Sequence, residues 1–180
     1  MNYVEPIRDK KKIKQMKKVL KEQSLRDWFL FTFGINVGLR ISDILPLRVR
    51  DVRDKTHLLI IEKKTGKRKQ FLLNAKLQKA IYKYTKGMDP DAYLFASDQY
   101  KMPITRVRAY QIINGAARNV GLTNIGTHTC RKTFGYHFYQ RTKDLATLQM
   151  IFNHSSPAIT LRYIGINQDL MDAAVDSFSL

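Results

Sequence analysis

One change of hydrophobic period constrains the fold of this chain more than any other feature. Residues 57–73, HLLIIEKKTGKRKQFLL, carry two short apolar runs on either side of Thr65-Gly66, the pattern of a β-hairpin, here tipped with cations. Upstream, the period is helical. Residues 8–22 place Ile13, Met16, Val19 and Leu20 on one stripe amid lysines, as an amphipathic helix requires. Ser24 is positioned to cap a second helix, LRDWFLFTFGINVG. That segment is apolar on nearly every side, which predicts burial, and Gly38 is its expected stop. Ile41, Ile44 and Leu45 predict a short third helix ended at Pro46.

Downstream, helices are predicted over 75–86, 105–120, 128–141, 144–152 and 157–164, the last with Pro157 in its first turn, and AYLFAS (92–97) reads as a short strand. A terminal amphipathic helix covers about 167–180 and carries Asp169, Asp172 and Asp176. The predicted fold class is therefore mainly α with a small antiparallel β-sheet (α+β). No repeat and no linker divides the 180 residues, so one domain over 1–180 is expected, long enough to bury roughly two-thirds of its unfolded surface.

Charge narrows the function classes. Lys and Arg number 32 against 15 acids, a formal net charge of +17. Such an excess attracts polyanions, nucleic acid before an anionic membrane. Cys130 is the one cysteine, which excludes an intramolecular disulfide and a thiolate zinc cluster. No stretch reaches the ~18 apolar residues of a membrane span. The charged N-terminus leads into more charge rather than an apolar run, so no secretory signal is read there.

Six residues carry the chemistry. Arg40 lies at a helix junction three residues before Asp43, a carboxylate placed to hold the guanidinium in one pose, as a phosphate clamp needs. Lys64 enters the hairpin turn. An ammonium carried from a hairpin tip into an arginine-rich site has its pKa lowered and becomes a proton donor, and Lys67 is its rival for that part. His128 and Arg131 share the first face of a helix, whose N-terminal amides favour anions. His154 closes the next helix, and Tyr163 follows nine residues later. Singly, each has a plain structural explanation: a surface ion pair, a solvated lysine, a helix cap, a core tyrosine.

Their order and intervals of 24, 64, 3, 23 and 9 residues are less easily explained singly. The segments Gly38-Leu39-Arg40-Ile41-Ser42-Asp43, Lys64-Thr65-Gly66-Lys67-Arg68, His128-Thr129-Cys130-Arg131 and Asn153-His154 through Tyr163 resemble the catalytic domain of the tyrosine recombinase (phage integrase) family over roughly residues 8–170. The resemblance implies that fold, with a reduced architecture similar to the fimbrial invertases and no separate N-terminal core-binding domain. It implies a site-specific recombinase that cleaves and rejoins DNA through a 3′-phosphotyrosyl link, without metal, cofactor or ATP. Tyr163 would be the nucleophile. Arg40, Arg131 and His154 would hold the non-bridging oxygens, Lys64 would protonate the leaving 5′-oxygen, and His128 would assist proton transfer.

Two positions depart from the family pattern: Cys130 replaces a leucine, and Asn153 stands where a glycine normally precedes the histidine, a substitution the left-handed turn tolerates. The family further implies double-stranded DNA as partner, a monomer in solution and a homotetramer on DNA, with the terminal helix exchanged between protomers through Leu170, Ala173, Ala174 and Phe178. It implies a cytoplasmic, nucleoid-associated place in a bacterial or phage-infected cell, and no membrane. Lys10, Lys11, Lys63, Lys67, Arg68 and Lys69 are the candidate DNA contacts. Other readings are a non-catalytic DNA-binding regulator on the same fold and a type IB topoisomerase-like relaxing enzyme.

Overall fold

The computed structural model describes residues 4–178, apart from Lys63, Thr65 and the side chain of Ala174. The first helix, α1 (Lys10–Gln23), begins where the Asp9 carboxylate accepts a hydrogen bond from the Lys11 amide. It buries Met16 and Leu20, with Ile13 and Val19 partly covered. Ser24 separates it from α2 (Leu25–Val37) but makes no side-chain capping bond. Helix α2 is the core element. Phe29, Leu30, Phe31 and Phe33 are all buried, and the Phe29 ring packs on Tyr84 at 4.4 Å and on Phe95 at 5.8 Å. Each such aromatic pair adds about 0.5–1.5 kcal/mol beyond its area.

Gly38 ends α2 in the left-handed region, with φ 62°. A Cβ there would lie 2.3 Å from the Phe134 ring, so this turn requires glycine twice over, for its conformation and for its close neighbour. The chain then enters α3 (Ile41–Ile44), with Arg40 at its N-cap.

The hairpin forms as the period change predicts: β1 (His57–Ile61) pairs antiparallel with β2 (Arg68–Leu72), His57 opposite Leu72 and Ile61 opposite Arg68. One face is inward, with Leu58 and Glu62 buried, while Leu59 and Ile61 on the other face are exposed. Residues 92–97 are not a strand. They cross between two segments and make only isolated bridges, Arg48 to Tyr93 and Ala96 to Pro103. Pro103 has no N–H with which to extend a ladder.

Helix α4 (Ala75–Thr85) follows the hairpin, capped by Asn74. Then come α5 (Arg106–Asn119), capped by Thr105, α6 (Thr127–Thr142), α7 (Leu145–Phe152), α8 (Pro157–Ile164) with Pro157 in its first turn, and α9 (Ile166–Asp176). Two buried clusters result. The larger joins α1 to α5 with the hairpin and Cys130, and the smaller joins Leu148, Phe152, Ile164 and Ile166. Helix α6 runs between them. Its buried stretch is largely polar, with Thr129, Arg131, Lys132 and Thr133 all enclosed. Partners justify that burial: the Thr129 hydroxyl accepts from the Gly126 amide, and the Thr133 hydroxyl from the Ile7 amide.

Beyond Ile166, α9 leaves Leu170, Met171 and Val175 exposed, as is Phe178 just past it. Among the described residues no helix is long and apolar enough to cross a membrane.

Candidate active site

The site forms at the seam between the two clusters, and Arg131 is its anchor. Only 2% exposed, Arg131 donates from Nη1 to the Gly38 carbonyl at 2.6 Å and from Nη2 to the Phe152 carbonyl at 3.0 Å. Its guanidinium lies 4.2 Å from the centre of the Phe152 ring. Two helix C-termini, α2 and α7, thus grip one side chain of a third helix, and carbonyls at helix ends are the natural acceptors for a cation. Burial lowers the Arg131 pKa, against a raising influence from Tyr163; a guanidinium remains charged regardless.

His154 follows directly from that geometry. Asn153 caps α7 in the left-handed region at φ 54°, so the turn survives without glycine, as the sequence predicts. The His154 Nδ1 shares a 3.0 Å hydrogen bond with the Thr160 hydroxyl of α8. Its ring sits 5.3 Å from Phe152 and 5.2 Å from Tyr163, edge to face in both cases. Burial first, then the charges of Arg131, Arg40, Lys69 and Lys64, push the imidazole down to about 4, so it is neutral at physiological pH.

Tyr163, on α8, is half-buried. Its ring lies 5.5 Å from Phe152 and 5.2 Å from the Lys132 Nζ. Burial raises the phenol pKa, while Arg131 and Arg40 pull it back, Arg131 also as a hydrogen-bond donor. The phenol is therefore protonated at rest and sits inside the field of both arginines.

Arg40 approaches from the α2–α3 junction. The carboxylate that pairs with it is Glu62, at 3.2 Å from Nη1. This corrects the expectation that placed Asp43 in that part. Asp43 is buried, and its charge acts on Arg131. His128 stands exposed near the start of α6. The protein mass around it desolvates the imidazole, and Arg106, Arg131, Lys132 and Arg40 lower its pKa further. Lys64 is exposed at the hairpin tip, close enough for its charge to act on His154. Lys67 donates instead to the Asn153 side chain at 3.3 Å. The six candidates are thus linked through Arg131, Arg40 and His154 into one electrostatic neighbourhood.

The six predicted DNA contacts separate. Lys63 lies outside the described residues. Arg68 is exposed at the start of β2, and Lys67 reaches the end of α7. Lys69 does not face outward: it turns in to Glu62 at 3.4 Å and donates to the Ile151 carbonyl at 2.7 Å. Lys10 and Lys11 are exposed and line a different cleft with Arg8, His137 and Arg141. Sequence reasoning missed Glu62 altogether, along with Thr160 and Lys132. A charge on the inward register of β1 was the signal for Glu62, but only once the inward register was known.

Comparison with known proteins bears on this geometry. The Phage integrase family model matches residues 8–169. A probable integrase/recombinase of Bacillus subtilis (strain 168), YoeC, is 55% identical over 178 residues, covering 99% of this chain and 98% of that protein. The crystal structure of the XerA recombinase superposes with a TM-score of 0.73 at 19% identity, over 89% of this chain and 58% of that one. XerH site-specific recombinase, bound to palindromic difH substrate in a post-cleavage complex, also gives 0.73 at 19% identity, over 98% of this chain and 54% of that one. These two likenesses establish the fold, that of a tyrosine recombinase catalytic domain. Besides YoeC, the chain spans little more than half the length of the next curated relatives it matches.

Proposed function

The chain belongs to the phage integrase family of tyrosine recombinases, and from that premise we propose that it cleaves and rejoins double-stranded DNA at specific sites through a 3′-phosphotyrosyl intermediate. One observation carries the reading: a half-buried phenol, Tyr163, lies in the electrostatic field of Arg131 and Arg40 with its ring against His154, on a chain of net charge +17.

In the first step the Tyr163 oxygen attacks the scissile phosphorus. A P–O bond to Tyr163 forms, and the P–O5′ bond breaks. The phenol proton passes to His128 as the bond forms, because the raised pKa forbids a standing phenolate. Arg40 and Arg131 lie along the developing negative charge on the non-bridging oxygens, and neutral His154 supplies a third contact. Cations fixed before the reaction stabilise the transition state more than the ground state, since the protein has no reorganisation left to perform. Lys64 gives its proton to the leaving 5′-oxygen. The covalent link preserves the phosphodiester's free energy. A 5′-hydroxyl then attacks the same phosphorus and gives its proton back to Lys64, the Tyr163–phosphorus bond breaks, and the phenol recovers its proton from His128.

We read residues 1–180 as one catalytic domain that is a monomer in solution and a homotetramer on DNA. The exposed apolar side chains Leu170, Val175 and Phe178 support an exchange of α9 between protomers.

A nicked suicide DNA substrate tests the chemistry. The protein is expected to form an adduct that survives denaturation, and Tyr163→Phe to abolish it while DNA binding stays nearly unchanged. Adduct formation by the variant would place the nucleophile elsewhere.

A further inference from the structure

Glu62 is fully buried, and a single oxygen, Oε1, faces two cations, the Arg40 Nη1 at 3.2 Å and the Lys69 Nζ at 3.4 Å. It continues the inward register of β1, two residues beyond Ile60 and four beyond Leu58. That register otherwise calls for an apolar side chain. A carboxylate there breaks the local rule, and such breaks concentrate where function requires them. Stability gives no reason for it, because a buried ion pair is often matched or exceeded by a well-packed apolar replacement.

Its position offers a reason. The Glu62 backbone roots the hairpin tip: its amide donates to the Lys67 carbonyl at 3.0 Å, and its carbonyl accepts from the Gly66 amide at 2.8 Å. Lys64 lies within the loop these two bonds close. The side chain of the same residue reaches across to Arg40. Lys69 extends the chain of contacts, donating to the Ile151 carbonyl at 2.7 Å and the Met150 carbonyl at 3.5 Å, at the α7 end that leads into His154. One carboxylate therefore touches the phosphate-binding arginine, anchors the loop of the proton donor, and connects through Lys69 to the helix of the histidine.

We propose that Glu62 is a positioning residue for strand cleavage: with Lys69 it holds the Arg40 guanidinium toward the scissile phosphate and fixes the hairpin against the end of α7. The inference rests on the recombinase reading above. Glu62 touches no substrate atom in this scheme and acts through Arg40. Arg40 keeps 17% of its side chain exposed, and through that part it would meet a phosphate oxygen.

The test compares two suicide substrates, one with a normal scissile phosphate and one with a methylphosphonate there. The methyl group replaces one charged non-bridging oxygen, so a neutral centre asks less of Arg40. Glu62→Gln, nearly identical in shape, is expected to slow single-turnover cleavage of the phosphate about 10- to 100-fold, the range a small misplacement produces. On the methylphosphonate the loss is expected to be under about 3-fold, since only charge neutralisation at that oxygen is removed. An equal fall on both substrates would mark Glu62 as structural only. No fall, or faster cleavage through release of Arg40, would overturn the proposal as well. Should Glu62→Gln fail to fold, Lys69→Met is read by the same ratio, a selective loss on the phosphate supporting the proposal and an equal loss or none overturning it. Failure of the wild-type protein to form any adduct through Tyr163 would instead sink the underlying recombinase reading.

Discussion

The two walls of the site are built on different terms. On the helical wall, Arg131, His154 and Tyr163 are set by backbone carbonyls, a buried threonine hydroxyl and the Phe152 ring. On the hairpin wall, Lys64 sits exposed at a tip, and the inward contacts are the side chains of Glu62 and Lys69. The helical wall thus comes preorganised, because moving Arg131 would strip donors from two buried acceptors. The hairpin presents its cation to solvent, where DNA would meet it. A clamp for charge gains from being rigid before reaction. A proton donor needs only to arrive within hydrogen-bond reach of the leaving oxygen.

The largest effect that tests this contrast belongs to Arg131. Arg131→Ala leaves the Gly38 and Phe152 carbonyls without their donor, at about 1–3 kcal/mol for each buried group left unsatisfied. Cleavage is expected to fall by about 10³-fold, the upper range for one lost charge-stabilising donor. Melting temperature and suicide-substrate kinetics are to be read together, and an unchanged melting temperature would contradict the anchored wall. Lys64→Ala comes next. Its cleavage is expected to drop about 10²-fold, the lower range for a lost proton-transfer group, with stability unchanged. A 5′-bridging sulfur, whose thiolate needs no proton on leaving, is expected to restore the rate. Rescue of Lys67→Ala by that substrate instead would move the proton donor to Lys67.

Packing behind the helical wall supplies a third test. A Cβ on Gly135 would lie 2.7 Å from both the Phe152 ring and Ile164 Cγ2, neighbours of His154 and Tyr163. Gly135→Ala is expected to cost about 1–3 kcal/mol by overpacking and to lower cleavage with it. A thermal melt matching wild type would show that the wall yields more easily than its contacts indicate.

The smallest effect is a pH slope. His154 is held down to about 4 in the folded protein, against about 6.5 in an unfolded chain. The unfolded state therefore binds the extra proton between those values. Stability from this group is full above about pH 6.5 and falls as pH drops toward 4. His154→Asn is expected to flatten melting temperature against pH over that window, and an unchanged slope would remove the imidazole from the account. His128 and His137 are also lowered, so the difference between variant and wild type is the quantity to compare.

Much of the frame was legible in the sequence. The stripe of Met16 and Leu20, the all-round apolar α2, the left-handed stops at Gly38 and Asn153, and Pro157 at the start of α8 all follow from local rules. Residues 92–97 misled because an apolar run states burial, not pairing; Leu94 and Phe95 are indeed buried, in a segment that crosses rather than ladders. Glu62 was hidden for a related reason. From Leu58 to Ile61 the run is apolar at every position before the glutamate, so alternation named no inward face. That Lys69 turns inward while Arg68 stays exposed hung on the same missing fact, and a one-residue change of register reverses it.

By itself, the sequence determined which segments are helix and which are hairpin, and in what order the candidate site side chains occur along them. Those are matters of period, capping and turn residues, each settled within a few neighbours. Only the tertiary structure decided that Arg131 is gripped by carbonyls 93 and 21 residues away, that Glu62 rather than Asp43 pairs with Arg40, and that Lys69 turns inward. Such pairings depend on how each helix and strand is rotated about its axis when the two apolar clusters close around α6, and no local period encodes that rotation.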